Sequence, residues 1–365
     1  MRIAQIAPLA ESVPPKLYGG TERVVSYLVE ELVAQGHEVT LYASGDSETS
    51  AELVPLTDQA LRLQGDKIRE PLAHQVRALE TVFRDADRHD VLHFHLDYLH
   101  FPVVRHERWR ALTTMHGRLD LPDFALLLRE YSDLSLVSIS NSQREPVPWA
   151  NWIGTVYHGL PKNLFRPNYE PSDHLVFLGR ICPEKRADRA IEIALRTGLP
   201  LKIAAKVDNA DREYFEAEIK PRLGHSLVEF AGEVDEPAKE QLLRQAKALL
   251  FPVDWPEPFG LVMIEALACG TPVIAFRHGS TPEVLTDGKT GFLVDTMDQA
   301  VGAVQRLGDI SREACRAEFE ERFSAARMAT DYLGLYRSLL GNRPEGPKSG
   351  PVRPPAPRVR SGHFS

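Results

Sequence analysis

The sequence predicts an α/β protein of two similar domains, each a parallel β-sheet covered by helices, facing each other across a cleft. The chain has 365 residues and 43% hydrophobic content, which suffices for two domains of about 100 to 200 residues each. Short apolar runs alternate with amphipathic helical patterns, and this indicates parallel sheets covered on both faces. The alternation restarts after "RPNYEPSD", so the join lies near residues 160–172. A ligand is expected between the carboxyl ends of the two sets of strands.

The first domain is predicted from β-branched or aromatic runs that end at small or polar residues. These predicted strands lie at residues 2–8, 38–44, 90–95, 110–116 and 134–140. The segment between the first two follows a helical pattern, with apolar residues Val24, Val25, Leu28, Leu32 and Val33. Gly36 follows them where a helix cap is expected, so this segment is predicted to be the first helix.

The second domain repeats this alternation. Its predicted strands lie at residues 174–180, 201–206, 227–232, 248–252 and 272–276. Helices are predicted at residues 186–198 and 237–246, and a third from Phe259. From residue 341 the composition changes to six prolines and five basic residues against one acidic residue, which predicts a disordered tail.

Composition excludes several functional classes. The formal net charge of −8 argues against a general nucleic-acid-binding protein, which needs clustered Lys and Arg. No long uncharged apolar run and no secretory signal pattern is present, so a cytoplasmic location is expected. Cys182, Cys269 and Cys315 are too few and too scattered for a disulfide framework or a Cys-x-x-Cys metal site.

The stretch "WPEPFGLVMIEALACGTPVIAF", residues 255–276, has Glu257 and Glu265 on either side of a short apolar run. Pro258 suits the first turn of a helix, so Glu257 is predicted just before the helix and Glu265 inside it. The amides of residues 259–261, which are Phe259, Gly260 and Leu261, are then free donors at a helix N-terminus. A phosphate fits such a site because the helix N-terminus attracts anions. A polyhydroxylated sugar also fits, because a carboxylate accepts hydrogen bonds from paired hydroxyls.

Cations and glycines follow other predicted strands. Arg180 and Lys185 lie in a loop between a strand and a helix, where fixed cations stabilise negative charge on a leaving diphosphate. Gly19 and Gly20, in "YGG", precede the first helix and form a plausible second phosphate cradle. His116 follows a predicted strand and precedes glycine, so it is expected to point into the cleft.

The segment "HFHLDYLH" raises the possibility of a metal site. It contains His93, His95, Asp97 and His100. A zinc site needs three or four convergent ligands with supporting partners, and here the strand ends at the cleft. Acceptor-side or structural roles are therefore expected, and no metal ligand is assigned.

Long stretches of this chain closely resemble the retaining glycosyltransferases of family 4. The resemblance covers about residues 1–340 and is carried by "EPFGLVMIEALACGTPVIA", "YGGTERVVSYLVEELVAQGHEVTLYAS", "TTMHG", "FLGRICPEKR" and "GSTPEVLTDGKTGFLV". It implies a GT-B fold with two Rossmann-like domains, at residues 1–165 and 166–322. A C-terminal helix at residues 323–340 would cross back to the first domain, ahead of the tail at residues 341–365.

The resemblance also implies an activity and residue roles. The chain would transfer a hexose from a nucleotide-diphosphate sugar, of the UDP-glucose or GDP-mannose type, with retention and without metal or cofactor. Glu265 would hold the ribose hydroxyls, while Glu257 and His116 would contact the transferring sugar. The glycine loop, Arg180 and Lys185 would hold the diphosphate. Alternatives are a GT-B phosphorylase, a sugar-nucleotide epimerase, or a catalytically silent nucleotide-sugar-binding protein.

The acceptor is left open by the sequence. A small molecule, a glycan or a lipid is compatible with the first-domain loops at residues 46–75 and 96–124, where acceptor recognition is expected. The segment "VVRHERWRA" is a candidate basic edge for membrane contact, although Glu107 interrupts it. Arg186 and Ala205 stand where relatives commonly have glycine, and the expected effects, an altered turn or a narrower nucleotide pocket, leave the identity of the donor open.

Overall fold

The computed structural model describes residues 1–16, 19–107 and 109–341. Tyr18 and the tail predicted to be disordered, from residue 342 onward, lie outside the described residues. The described chain forms two parallel sheets, of seven and six strands, each covered by helices. The predicted α/β architecture with two Rossmann-like domains is confirmed.

The first sheet has the strand order β3-β2-β1-β4-β5-β6-β7. Its strands are β1 (Arg2–Ile6), β2 (Glu38–Ser44), β3 (Glu52–Thr57), β4 (Val91–Phe94), β5 (Ala111–Thr114), β6 (Leu136–Ser138) and β7 (Trp152–Thr155). Strand β1 pairs in parallel on both sides, with Ile3 opposite Val39 of β2 and Val91 of β4. Residues that follow β1, β4 and β5 therefore meet at one edge of the sheet.

The second sheet has the order β10-β9-β8-β11-β12-β13. Its strands are β8 (Leu175–Arg180), β9 (Leu201–Lys206), β10 (Val228–Gly232), β11 (Ala248–Phe251), β12 (Val273–Phe276) and β13 (Gly291–Val294). Here β8 lies at the centre between β9 and β11. Arg180, at the carboxyl end of β8, therefore lies at the middle of the sheet edge.

Twelve α-helices are assigned within the described residues. They are α1 (Gly20–Ala34), α2 (Pro71–Asp85), α3 (Phe101–Glu107), α4 (Pro122–Glu130), α5 (Ala187–Thr197), α6 (Arg212–Tyr214), α7 (Glu236–Gln245), α8 (Leu261–Ala268), α9 (Thr281–Val284), α10 (Met297–Gln305), α11 (Arg312–Arg322) and α12 (Ala325–Gly341). The predicted apolar face of α1 is buried at Val24, Val25, Leu28 and Leu32. In the described part of the chain, no helix is long and apolar enough to cross a membrane.

Ten strands were predicted directly from the sequence, and each is present within a few residues of its predicted bounds. The pattern missed β3 and β7, which form the two edges of the first sheet. Edge strands are partly exposed, and every residue of β7 is only half-buried, so neither strand forms a continuous apolar run. Strand β13 was indicated only by the family resemblance.

The C-terminal helix α12 crosses back from the second domain to the first, as the resemblance implied. It packs against α1, and Met328, Tyr332 and Tyr336 are buried. The hydroxyl of Tyr336 accepts a hydrogen bond from Gln5 of β1 at 3.0 Å. This helix is therefore part of the hydrophobic core of the first domain.

Candidate active site

A cavity of about 480 Å³ lies between the facing edges of the two sheets. Its lining includes every residue that was predicted to bind the donor or to act in catalysis: Gly19, Gly20, His116, Arg180, Lys185, Glu257, Phe259, Gly260, Leu261 and Glu265. These residues come from both domains and follow different strands, so only the folded chain brings them together.

The segment around Glu257 differs locally from the prediction. Helix α8 begins at Leu261, so the predicted start at Phe259 is two residues too early, and Phe259 and Gly260 precede the helix. The reason is Gly260, which has a left-handed φ of 78° and turns the chain immediately before the helix. A Cβ at Gly260 would lie 2.9 Å from the Phe251 ring, so only glycine fits this turn. The positive end of the helix dipole therefore lies at the amides of Leu261 and Val262.

Residues 257–259 are held by the loop at the start of α9. The backbone amide of Ser280 donates to the Glu257 carbonyl at 2.9 Å, and the Ser280 hydroxyl donates to the Phe259 carbonyl at 2.8 Å. Gly279 approaches so closely that an added Cβ would lie 2.3 Å from the Glu257 nitrogen. The backbone that carries Glu257 is therefore fixed by contacts outside its own segment.

Glu257 is buried against the cavity wall, with 7% of its surface exposed. Lys185 forms an ion pair with its Oε2, and the indole Nε1 of Trp255 donates to the same oxygen at 2.8 Å. The Lys185 ammonium also lies 5.4 Å from the centre of the Trp255 ring, within the range of a cation–π contact. Lys185 and Glu257, which were both predicted as site residues, thus form an ion pair with each other.

Glu265 lies in α8 with 5% of its surface exposed. Its Oε1 accepts a hydrogen bond from the Nζ of Lys239, on α7, at 2.5 Å. Sequence reasoning missed Lys239, although a carboxylate among apolar residues requires a charged or hydrogen-bonding partner. That requirement was the available signal, but the sequence did not show which lysine meets it.

Arg180 contributes positive charge at the end of β8. Its guanidinium lies 3.5 Å from Asp211 and 3.8 Å from Asp208, and Lys206 lies 2.9 Å from Asp208. Arg180 and Lys185 both line the cavity, at the two ends of the loop that follows β8. This loop can therefore present two cations to an anionic ligand.

The first domain contributes the glycine loop and Arg23. A Cβ at Gly20 would lie 3.5 Å from the Leu261 side chain, so the start of α1 directly faces the start of α8. Arg23 of α1 forms an ion pair across the cleft with Glu236 at the start of α7. Arg23 was not predicted as a site residue, because its partner Glu236 belongs to the other domain and no local pattern on α1 indicates it.

His116 lines the cavity together with His158, which the sequence analysis also missed. The two imidazole rings stack with centroids 5.4 Å apart and planes 13° apart, and His158 contacts the ring of Phe259. Burial lowers the pKa of His116 to about 3 and lowers the pKa of His158 well below its ordinary value. Both rings are therefore neutral near pH 7.

The histidines of "HFHLDYLH" form hydrogen bonds inside the first domain. His93 bonds Tyr336 and Thr114, both at 2.8 Å, and His100 bonds Thr113 at 2.6 Å. His95 bonds His116 at 2.8 Å. Among the described residues, no group of three or more His, Cys, Asp or Glu is arranged to hold a metal ion.

The two departures from the family pattern have different surroundings. Arg186 takes the left-handed conformation, with φ of 54°, immediately before α5, which explains why glycine suits this position. Its guanidinium is held at 2.8 Å by both Asp188 and Asp254. Ala205 is buried and lines the cavity, so its methyl group occupies space that glycine would leave free.

Two family models match this chain, and the gap between their matches lies at the join between the two sheets. A family model described as Glycosyltransferase Family 4 matches residues 18–153. A second, described as Glycosyl transferases group 1, matches residues 165–324. The first match covers most of the first sheet, and the second contains the whole second sheet.

Similar proteins match over almost the whole chain. The phosphatidyl-myo-inositol mannosyltransferase of Mycobacterium leprae is 25% identical over 93% of this chain and 97% of that protein. The structure of sucrose-phosphate synthase from Thermosynechococcus elongatus aligns with a TM-score of 0.76 at 21% identity, covering 94% of this chain and 100% of that one. HepE of Anabaena, solved in complex with UDP-glucose, aligns with a TM-score of 0.68 at 16% identity over 93% and 100%. Both structures share the fold of this chain.

Proposed function

This chain belongs to the GT-B glycosyltransferases of family 4, and from that premise we propose that it transfers a hexose from a nucleotide-diphosphate sugar to an acceptor hydroxyl with retention of configuration. The observation that carries the proposal is the pair of buried carboxylates, Glu257 and Glu265, lining one cavity together with the cations Arg180 and Lys185. Carboxylates accept hydrogen bonds from paired hydroxyls, and cations bind a diphosphate. A nucleotide sugar carries both kinds of group.

Each part of the donor has a proposed partner. The ribose hydroxyls donate to Glu265, whose carboxylate Lys239 orients through a hydrogen bond. The diphosphate contacts Arg180, Lys185 and the first amides of α8, under the loop of Gly19 and Gly20. The transferring sugar lies beside Glu257 and His116. Lys185 links the last two regions, because it lines the cavity and pairs with Glu257.

The proposed reaction is a same-face substitution at the anomeric carbon. The bond from the anomeric carbon to the diphosphate oxygen breaks, and a bond to the acceptor oxygen forms on the same face. The acceptor proton passes to an oxygen of the departing phosphate. Arg180 and Lys185 stabilise the charge that develops on that phosphate, and Glu257 stabilises the positive charge at the anomeric carbon.

The donor is proposed to be of the UDP-glucose or GDP-mannose type. UDP-glucose is the donor bound in the HepE structure, and a mannosyltransferase is among the curated relatives. The acceptor approaches from the first domain, on the side of His116. The candidate basic edge at residues 103–111 is partly neutralised, since Arg105 pairs with Glu130 at 2.8 Å and with Asp133 at 3.2 Å. This favours an acceptor bound in the cleft over one drawn in by membrane charge.

A nucleotide-sugar panel tests the proposed function. We expect one donor to raise the melting temperature by several degrees at saturating concentration, because a ligand that binds only the folded state stabilises it. With that donor, a screen of acceptor extracts by mass spectrometry should yield a product heavier by one hexose. Nucleotide diphosphate should be released in step with the product, and proton NMR should show the donor's anomeric configuration retained. Donor binding without acceptor-dependent release would instead identify a nucleotide-sugar-binding protein.

We also propose that transfer needs no divalent metal, because Arg180 and Lys185 supply the charge that neutralises the diphosphate. Chelation with EDTA is expected to leave the rate within two-fold of the untreated enzyme. The measurement is the initial rate before and after treatment and dialysis. A ten-fold loss that magnesium or manganese restores would contradict the proposal.

A further inference from the structure

A hydrogen-bond network connects His116 at the cavity to the C-terminal helix α12. We call its members, His116, His95, Gln5 and Tyr336, the His116 network. His116 Nε2 lies 2.8 Å from His95 Nδ1, and His95 Nε2 lies 2.9 Å from the amide oxygen of Gln5. The amide nitrogen of Gln5 donates to the Tyr336 hydroxyl at 3.0 Å. Gln5 lies in β1, His95 follows β4, His116 follows β5, and Tyr336 lies in α12. The network therefore joins three segments of the first domain to α12.

The Gln5 amide sets the positions of the protons along this network. An amide oxygen only accepts hydrogen bonds, so His95 must carry its proton on Nε2. Burial lowers the pKa of His95 well below its ordinary value, so the ring is neutral and its Nδ1 has only a lone pair. His116 must therefore donate from Nε2. Because His116 is also neutral, its Nδ1 can only accept.

Tyr336 is the partner of the Gln5 amide on the side away from His95. Its hydroxyl accepts from the Gln5 nitrogen and also bonds His93 Nδ1 at 2.8 Å. If the amide were reversed, its nitrogen would donate to His95, and His95 would donate to His116. The His116 proton would then lie on Nδ1. The orientation of this one buried amide therefore decides whether Nδ1 of His116 accepts or donates a hydrogen bond.

We propose that Gln5 and Tyr336 are positioning residues that keep His116 in the tautomer with its proton on Nε2. Nδ1 of His116 is buried and has no hydrogen-bond partner among the described residues. In this tautomer it accepts a hydrogen bond from a hydroxyl of the transferring sugar and does not bind a group that only accepts. The inference about the sugar rests on the proposed function, whereas the tautomer itself does not.

The tautomer is measured in the full-length protein without donor. Two-bond proton–nitrogen NMR correlations distinguish the two neutral imidazole tautomers, and the His116 signals are assigned by their loss in His116→Gln. We expect the wild-type protein to show the proton on Nε2 of His116. A proton on Nδ1 would overturn the inference.

Two tyrosine variants of α12 separate positioning from packing. Tyr336→Phe leaves the Gln5 amide nitrogen without its acceptor; an unsatisfied buried N–H is less well tolerated than an unsatisfied carbonyl, so the amide should reverse. We expect the His116 proton to move to Nδ1 and kcat/KM to fall at least ten-fold. Tyr332→Phe is the matched control, because Tyr332 is also buried and, among the described residues, its hydroxyl bonds Thr114, at 2.9 Å, and not Gln5.

The control is expected to keep the wild-type tautomer and kcat/KM within two-fold. Equal losses in both variants, with an unchanged tautomer, would show that Tyr336 acts only through packing and would overturn the inference. Unchanged transfer in His116→Ala, together with the expected tautomer shift in Tyr336→Phe, would overturn the proposed sugar contact and leave the control of the tautomer standing.

Discussion

Glu257→Gln is expected to lower kcat by about 10²-fold or more, equivalent to about 3 kcal/mol of transition-state stabilisation. Positive charge builds at the anomeric carbon as its bond to phosphate breaks, so the contact with a carboxylate strengthens in the transition state. Glutamine keeps the shape of the side chain and a partner for Trp255 Nε1, but it removes the charge. Nucleotide diphosphate should still bind with nearly unchanged affinity. Steady-state kinetics and calorimetric titration measure the two quantities.

Glu265→Gln is the matched variant, because it removes a second buried carboxylate from the same cavity. The ribose does not change during the reaction, so its contact with Glu265 is equally strong in the ground and transition states. Loss of that contact should raise KM for the donor and weaken nucleotide binding while sparing kcat. Circular dichroism is needed as a control, since the variant removes the carboxylate that pairs with Lys239.

Two outcomes would contradict these roles. Equal losses of kcat in both variants, with nucleotide affinity unchanged in both, would show that the roles of Glu257 and Glu265 are wrongly divided. Normal turnover in Glu257→Gln would remove this glutamate from the mechanism.

A chain that ends after Ser324 is expected to lose the folded first domain, because it lacks α12. Met328, Tyr332, Leu333 and Tyr336 of this helix are buried. Burying one large apolar side chain contributes about 1.5–3 kcal/mol, so four of them approach the whole net stability of a typical protein, about 5–15 kcal/mol. Removal also leaves Gln5 and His93 of the first sheet without their partner on α12.

The control for this truncation is a chain that ends at Gly341, which keeps α12 and lacks only the proline-rich tail. We expect it to match the full chain in melting temperature and turnover. The shorter chain should show no cooperative melting of the first domain, by circular dichroism and limited proteolysis. A shorter chain that melts normally would show that α12 does not stabilise the domain.

The sequence predicted the parts of the site that depend on local pattern. Glu257, Glu265, Arg180 and Lys185 were recognisable because each lies at a fixed distance from a predicted strand or helix. Local pattern failed at the start of α8, where the helix predicted from Phe259 begins two residues earlier than the left-handed Gly260 allows. The left-handed φ of Gly260 makes the turn there, and the side chains of Met263 and Phe251 leave no room for a Cβ at this position.

The partners of the site residues were not predictable in the same way. Lys239 pairs with Glu265 from another helix, and Arg23 and His158 reach the cavity from segments that gave no signal of their own. The same holds for the network that joins His116 to Tyr336, whose terminal members are 220 positions apart. Each of these contacts depends on how helices and domains are placed relative to one another.

The residues alone predict that this chain forms two α/β domains, that a cleft lies at the carboxyl ends of the strands, and that paired carboxylates and cations line it. Alternation of buried strands and amphipathic helices is a local property, so the residues express it directly. The folded chain was needed to show which lysine pairs with which glutamate, where α8 begins, and which side chains bond His116. Those outcomes depend on distances and burial between segments far apart in the chain, because charge pairing and desolvation act through space.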